Sequence, residues 1–307
     1  MRAPLMLPRA DEQATTQAAD LMARPVVSQT AIVWRSLRRD RFAVAGLAVV
    51  LLAVLGAVFA PYLAPHDPYR VNAAARLLPP GTSGHLLGTD DIGRDIASRL
   101  LWGGRISLWV AFFPVLISGT LGLALGLASG YARGWIDQVA MRTLDVVLAF
   151  PSILLAIGIA AALGPGLQNV VMAIVVVSVP IFARLVRGLV LSVREREYVE
   201  AARCLGASTV RIVMRHVLPN VLPSVIVYAT LETGRVVIFA AGLSFLGLGV
   251  QPPAADWGAM LAAGRQVLAV APHVATIPGL VIFIVTLGFN LLGDGLRDAL
   301  DPRLRGT

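Results

Sequence analysis

The feature that most constrains this chain is a series of apolar runs that recur along most of its length. A run of roughly 20 apolar residues matches a helix that crosses the hydrocarbon core of a bilayer, which is about 30 Å thick. Six segments qualify, and they occupy residues 42–64, 106–130, 139–163, 169–191, 221–246 and 273–292. The sequence therefore predicts an all-α integral membrane protein with six transmembrane helices.

The balance of residue types agrees with a bilayer environment. Hydrophobic residues make up 57% of the 307 residues and charged residues only 14%, whereas soluble domains are about 25% charged. This composition excludes an ordinary soluble domain.

The arginines predict the orientation. All 26 basic residues are arginines, and they cluster at the ends of the apolar runs. Membrane orientation explains this clustering, so we predict no nucleic-acid partner. If both termini are cytoplasmic, most of the arginines lie on the cytoplasmic side of the membrane, as the positive-inside rule requires.

The predicted divisions are a cytoplasmic tail (1–41), a first helix (42–64), an extracytoplasmic segment (65–105), a permease core (106–293) with an inner loop (192–220), and a cytoplasmic tail (294–307).

Several kinds of active chemistry find no support in the sequence. The absence of lysine excludes a phosphate-loop lysine, so ATP chemistry would belong to a partner. Motifs of metalloproteases and serine hydrolases are absent, and we predict no catalytic residue. Four histidines are scattered on loops or helix ends, and we predict no metal site: His66, His85, His216 and His273.

Two charged residues lie deep in the fifth apolar run. Glu232 and Arg235 are three positions apart and share one helix face. Charges at this depth are costly, so they either line the translocation path or form a structural ion pair. A channel or ion-driven carrier is the alternative from another class, but such proteins usually bury acidic or histidine relays in several helices.

An outer turn after the fifth run contains residues that break helices. Its candidate site residues are Gly247, Gly249, Pro252, Pro253, Asp256 and Trp257. The turn is predicted to lie beside the translocation path or a docked binding protein. The alternative is a plain external loop in which Trp257 is an aromatic anchor at the membrane interface.

Small residues follow one face of the second apolar run. Ser118, Gly122, Gly126 and Gly130 recur every four residues. This spacing predicts close approach of another helix.

Residues 194–220 of the inner loop read as two short helices separated by Gly206. Glycine permits the positive φ that such a break requires, and Ser208 or Thr209 can cap the second helix. Exposed alanines favour docking in a groove of another protein, but an amphipathic helix lying on lipid is an equal alternative.

The loop resembles the EAA signature of permease subunits in bacterial ABC importers. The resemblance rests on Glu200, Ala201, Ala202 and Gly206, followed by Leu218 and Pro219. His216 stands where isoleucine is common, and the sequence around it resembles the peptide and nickel branch. Residues 85–108, 242–261 and 290–305 also resemble the second permease of dipeptide, oligopeptide, glutathione and nickel importers.

This resemblance implies a type I ABC importer permease fold in the bacterial inner membrane. It implies a heterodimer with a homologous permease, two ATPase subunits and an extracytoplasmic binding protein. This chain would bind no cofactor, because ATP and Mg²⁺ belong to the ATPases. The coupling residues would be Glu200, Ala201, Ala202, Gly206, His216, Leu218 and Pro219. The implied cargo is a dipeptide or oligopeptide, with glutathione or nickel as alternatives.

Overall fold

A computed structural model describes residues 35–82 and 84–300, and no strand occurs in these ranges. Residues 1–34 of the predicted N-terminal tail and residues 301–307 of the predicted C-terminal tail lie outside the described residues. The helices are α1 (Arg41–Val58), α2 (Ala60–Leu63), α3 (Ile96–Ala132), α4 (Gly134–Leu148), α5 (Ser152–Leu163), α6 (Leu167–Arg194), α7 (Glu197–Cys204), α8 (Thr209–Ile212), α9 (Leu218–Phe245), α10 (Trp257–Gln266) and α11 (His273–Leu300). A 3₁₀ turn at Ala73–Ala75 and a π-helical turn at Val213–Val217 complete the regular structure, together with a short helical turn at residues 35–39.

Five helical segments are long and apolar enough to cross a membrane: α1, α3, α6, the continuous stretch Thr209–Phe245, and α11. The sixth span is a bent pair, because α4 and α5 meet at 85°. Our prediction of one continuous helix over residues 139–163 is therefore wrong. Pro151 explains the break, because proline lacks an N–H and disfavours helical backbone at the preceding Phe150.

Two of the spans are much longer than the bilayer requires. Helix α3 and the stretch Thr209–Phe245 each contain 37 residues, which corresponds to about 56 Å of helix. The hydrocarbon core accounts for about 30 Å, so both helices project well beyond it. Helix α3 begins at Ile96 rather than near residue 106 because Asp95 caps it, accepting a hydrogen bond from the Ser98 backbone N–H at 2.8 Å.

Glycines allow α3 and α6 to approach each other closely. A Cβ placed on Gly126 would lie 2.5 Å from Cβ of Val186, and one on Gly130 would lie 2.9 Å from Cβ of Val190. Gly122 is blocked in the same way by Phe182. The predicted close-packing face is therefore confirmed.

The beginning of α1 and the end of α11 lie together. A Cβ on Gly295 would sit 3.2 Å from both Cα of Ala43 and the carboxylate of Asp40, which caps α1. The two helices also touch farther along, because a Cβ on Gly46 would lie 2.7 Å from the carbonyl oxygen of Gly288. Residues near both ends of the described chain thus lie at the same end of the bundle.

Candidate functional site

The inner loop forms a compact helical structure at one end of the bundle. Val199 of α7 is fully buried, as are Ile212 and Val217 after the bend, and all three belong to the main hydrophobic core. These three residues attach one side of the loop to the bundle core. The opposite side of the loop therefore faces away from the bundle.

Gly206 ends α7 in the conformation that glycine favours. Its φ is +76°, its N–H donates to the carbonyl oxygen of Arg203 at 3.0 Å, and the N–H of Ala207 donates to that of Ala202 at 3.1 Å. These two bonds define a Schellman motif. Ser208 then caps α8 through its hydroxyl oxygen, which accepts from the Arg211 N–H at 3.4 Å. The predicted break between two short helices is confirmed.

The outward surface of the loop combines small, acidic and apolar residues. Glu200 and Ala201 are exposed, and Ala202 is half-buried. Three large apolar side chains extend this surface with exposed fractions of 88%, 71% and 58%: Leu205, Val210 and Met214. We call this set, from Glu200 to Met214, the docking surface.

His216, Leu218 and Pro219 lie at the junction with α9. The ring of His216 is half-buried, with its centroid 6.3 Å from that of Tyr198 on α7. Pro219 cannot donate a backbone hydrogen bond. A π-helical turn precedes it, in which the Leu218 N–H donates to the carbonyl oxygen of Val213. These residues connect the docking surface to the span.

Polar contacts attach the loop to the ends of α3 and α6. The guanidinium of Arg194 donates to the carbonyl oxygens of Tyr131 at 2.8 Å and Gly130 at 3.2 Å. Arg133 and Glu195 form an ion pair at 2.8 Å. The loop therefore lies at the end of α3 that is remote from Asp95.

Helix α4 is joined to α6 by ion pairs, which our sequence reasoning missed. Arg187 donates to both carboxylate oxygens of Asp137 at 2.6 Å, and Arg184 pairs with Asp145. No residue of α4 is fully buried. The available signal was the presence of two aspartates on α4 and two arginines near the end of α6.

Glu232 and Arg235 form an intrahelical ion pair. The Arg235 Nε donates to Glu232 Oε2 at 2.8 Å, and the Ser178 hydroxyl on α6 lies 3.3 Å from Oε1. The side chain of Glu232 is 2% exposed and that of Arg235 is 41% exposed. The Glu232 carboxylate thus lies in the contact between α9 and α6, while the Arg235 side chain extends to the surface of the bundle.

The outer turn is anchored to α3 by its last two residues. The Ser107 hydroxyl donates to Asp256 Oδ1 at 2.7 Å, and the Trp257 indole N–H donates to the carbonyl oxygen of Leu100 at 2.9 Å. Trp257 is only 3% exposed. The alternative of an interfacial aromatic anchor is therefore wrong, because Gly103 and Gly104 leave room for the indole against α3.

The rest of the outer turn is non-helical, as predicted. Gly247 has φ of +81°, and the Gln251 side-chain amide donates to the carbonyl oxygens of Gly247 at 3.1 Å and Gly249 at 3.0 Å. Pro252 and Pro253 follow and are joined by a cis peptide bond.

Two of the four histidines meet at the end of the bundle where α3 begins, which corrects our expectation that all were scattered. The rings of His66 and His85 stack with centroids 4.6 Å apart, and His85 Nδ1 lies 2.9 Å from Asp95 Oδ1. Burial alone would raise the pKa of Asp95, but hydrogen bonds with His85 and Ser98 bring it below its usual value. The sequence did not predict this contact because His66, His85 and Asp95 lie in or next to irregular segments, which have no periodic pattern.

Family comparisons agree with this architecture. Residues 122–306 match the family described as binding-protein-dependent transport system inner membrane component. Residues 28–80 match the N-terminal transmembrane domain of oligopeptide transport permease C.

Individual relatives extend the similarity over most of the chain. It is 49% identical over 272 residues to glutathione transport system permease protein GsiD of Pectobacterium atrosepticum, covering 89% of this chain and 90% of the relative. It is 47% identical to dipeptide transport system permease protein DppC of Alkalihalophilus pseudofirmus, covering 89% of each.

The fold itself resembles solved transporter structures. One structure, of the MetNI methionine ABC transporter in inward-facing conformations, has a TM-score of 0.55 at 21% identity, and the match covers 66% of this chain and 97% of that one. With the family match and these relatives, the predicted resemblance is confirmed: the chain belongs to the family of binding-protein-dependent transport system inner membrane components, the membrane-spanning permease subunits of ABC importers.

Proposed function

We propose that this chain translocates short peptides and that its docking surface receives an ATPase subunit. The observation that carries the proposal is the geometry of the inner loop. Its inner side is fixed by buried Val199, Ile212 and Val217, while its outward side exposes alanine, glutamate and large apolar groups. Small residues permit close approach of a partner, and the apolar side chains supply area to bury.

The loop is also built to transmit motion. Helix α8, the π-helical turn and α9 form one helical stretch, Thr209–Phe245, that continues from the docking surface into the bundle. A displacement of α7 by an ATPase would act on this stretch through Gly206, Ser208 and the contact of His216 with Tyr198. Glu200 supplies a charge for the rim of the partner groove, Ala201 and Ala202 allow close contact, and Leu218 and Pro219 begin the span.

The proposed assembly contains a homologous second permease, two ATPases that hold ATP and Mg²⁺, and an extracytoplasmic binding protein. The docking surface and both termini lie in the cytoplasm of a bacterial cell, with His66 and the outer turn on the other side. The excess of arginine near the docking-surface end supports this orientation.

A short peptide is the proposed cargo because the similar permeases are named for dipeptide and glutathione transport. Glutathione is itself a small peptide, so the two names define one chemical class. Glu232 and Arg235 are proposed to stabilise the bundle as a pair, with the half-exposed guanidinium also reaching the path or the second permease. The outer turn, held by Asp256 and Trp257, is proposed to lie beside the path or the binding protein.

Two glycines at opposite ends of the bundle provide a matched test of docking. Gly206 and Gly164 have φ of +76° and +89°, and nothing within 4 Å obstructs a Cβ on either. Alanine at each position introduces backbone strain of about 1–3 kcal/mol. The strain is at least as large at Gly164, whose ψ of 165° places it in a region that essentially only glycine adopts, so Gly164→Ala is a stringent control. We expect Gly206→Ala and Glu200→Arg to reduce ATPase co-purification and ATP-driven uptake of a labelled dipeptide, and Gly164→Ala to retain both. Equal retention in all three variants would refute docking at this surface.

The cargo is tested separately in the reconstituted complex. Unlabelled dipeptide, glutathione and Ni²⁺ are each added in excess over the labelled dipeptide. We expect competition by peptides and none by Ni²⁺. If neither unlabelled peptide reduces uptake of the label, the proposed cargo class is wrong, and the docking proposal is unaffected.

A further inference from the structure

The outer end of the bundle holds a compact set of side chains that suits a transition-metal ion. His66 follows α2, His85 lies in the loop before α3, and Asp95 caps α3; each offers one ligand atom, and these atoms all lie within 4.8 Å of one another. The side chains of His66, His85 and Asp95 are 39%, 17% and 1% exposed. A buried carboxylate is thus placed beneath two imidazoles, one of which faces solvent.

The distances fit the coordination sphere of a small divalent ion. Asp95 Oδ1 lies 2.9 Å from His85 Nδ1 and 3.8 Å from His66 Nδ1. Donor atoms bound at about 2.0–2.1 Å in tetrahedral geometry are separated by about 3.3–3.4 Å. The two observed distances bracket this value, and all three ligand atoms lie within 4.8 Å of one another, so side-chain rotations of the two imidazoles bring them to bonding distance.

The two oxygens of Asp95 have separate partners. Oδ2 accepts from the Ser98 backbone N–H at 2.8 Å and from the Ser98 hydroxyl at 2.7 Å, while Oδ1 faces the histidines. The Ser98 hydroxyl in turn accepts from the His66 backbone N–H at 3.0 Å. A carboxylate oriented in this way by its outer partners is typical of a metal ligand.

We propose that His66, His85 and Asp95 bind a divalent transition-metal ion, with Zn²⁺ as the best-matched probe. Two imidazoles and one carboxylate are ligands of this class of ion, while Ca²⁺ and Mg²⁺ prefer oxygen alone. Binding through Nδ1 requires the His85 tautomer in which Nδ1 carries a free lone pair and the ring proton lies on Nε2. The fourth position is open to water on the exposed side of His66.

The bound ion would connect three parts of the outer segment. His66 lies next to the end of the first span, His85 in the loop, and Asp95 at the start of α3. An open groove of about 570 Å³, lined in part by Pro65, His85 and Leu101, gives the ion access from solvent. By joining these three parts, the ion would stabilise the arrangement of the outer segment.

The test uses the full-length protein in detergent, purified through a tag that contains no histidine. Zn²⁺ is titrated against a competing chelator, and bound metal is measured by elemental analysis. The variants are His66→Gln and His85→Asn, whose amide can still donate to Asp95; the matched control is His273→Gln, a histidine outside the cluster. Size-exclusion chromatography of the metal-free proteins establishes that each is folded.

We expect one Zn²⁺ per chain, a higher unfolding temperature with Zn²⁺, and no such increase with Ca²⁺ or Mg²⁺. Each cluster variant is expected to lower the affinity by at least about tenfold, the smallest effect usual even for outer partners of a ligand, and the control to leave it unchanged. If His85→Asn fails to fold, the half-exposed His66 still decides the question. No stoichiometric binding, or binding equal in His66→Gln and His273→Gln, would overturn the proposal.

Discussion

Trp257 donates its indole N–H to the carbonyl oxygen of Leu100 at 2.9 Å, which joins the first residue of α10 to the first turns of α3. The Trp257 backbone N–H also donates to the Ser107 hydroxyl at 3.1 Å, and that hydroxyl donates to Asp256. The outer turn is consequently a fixed part of the bundle, and any movement of α3 moves it too.

Replacing Trp257 by phenylalanine should destabilise the protein. Phenylalanine fills most of the indole site but cannot donate to the Leu100 carbonyl oxygen, so the hydrogen bond between α10 and α3 is lost, at a cost of about 0.5–1.5 kcal/mol. Trp135→Phe is the control, because Trp135 is 73% exposed. Unfolding curves in detergent should shift to lower temperature for Trp257→Phe alone, and coincident curves would contradict the anchoring role.

Gly126→Ala should weaken the contact between α3 and α6. The new Cβ would lie 2.5 Å from Cβ of Val186, so the helices must separate, at a cost of about 1–3 kcal/mol. Gly188→Ala on α6 is the matched control, because a Cβ there has nothing within 4 Å. Thermal unfolding should distinguish the two variants, and equal stability would disprove close packing at Gly126.

The pair formed by Glu232 and Arg235 can be examined with a double replacement. Arg235→Met leaves a buried carboxylate without its counter-ion, which costs up to about 3–5 kcal/mol; because Arg235 is 41% exposed, we expect a smaller loss. Glu232→Gln combined with Arg235→Met should recover most of the stability.

Uptake by the double variant then separates the two roles of this pair. If the role of the pair is purely structural, we expect the double variant to recover uptake together with thermal stability. Recovered stability without uptake would contradict a purely structural role and would place the charges in the path.

The sequence predicted most helices because their signals are local. Apolar length located the spans, and Gly206 and Ser208 marked the bend between α7 and α8. The 85° break between α4 and α5 was missed because the apolar run continues through Pro151. Apolar length alone does not reveal how a proline redirects a helix.

Contacts between distant residues were less predictable. The burial of Trp257 depends on space left by Gly103 and Gly104, and the meeting of His66 with His85 depends on irregular loops that lack a sequence period. Pairing of Asp137 with Arg187 was missed because it joins two helices separated by α5. Such juxtapositions become visible only when the bundle is assembled.

The most direct test of the central claim, that the docking surface receives an ATPase, is ATP-driven dipeptide uptake by the reconstituted complex containing Ala201→Trp. Tryptophan favours a membrane interface but does not fit where a small residue allows close protein contact. Tyr62→Trp at the outer end, where Tyr62 is 86% exposed, is the control. We predict at least about a tenfold loss of uptake for Ala201→Trp, equivalent to about 1.4 kcal/mol, and normal uptake for the control. Undiminished uptake with Ala201→Trp would contradict docking and favour a loop that rests on lipid.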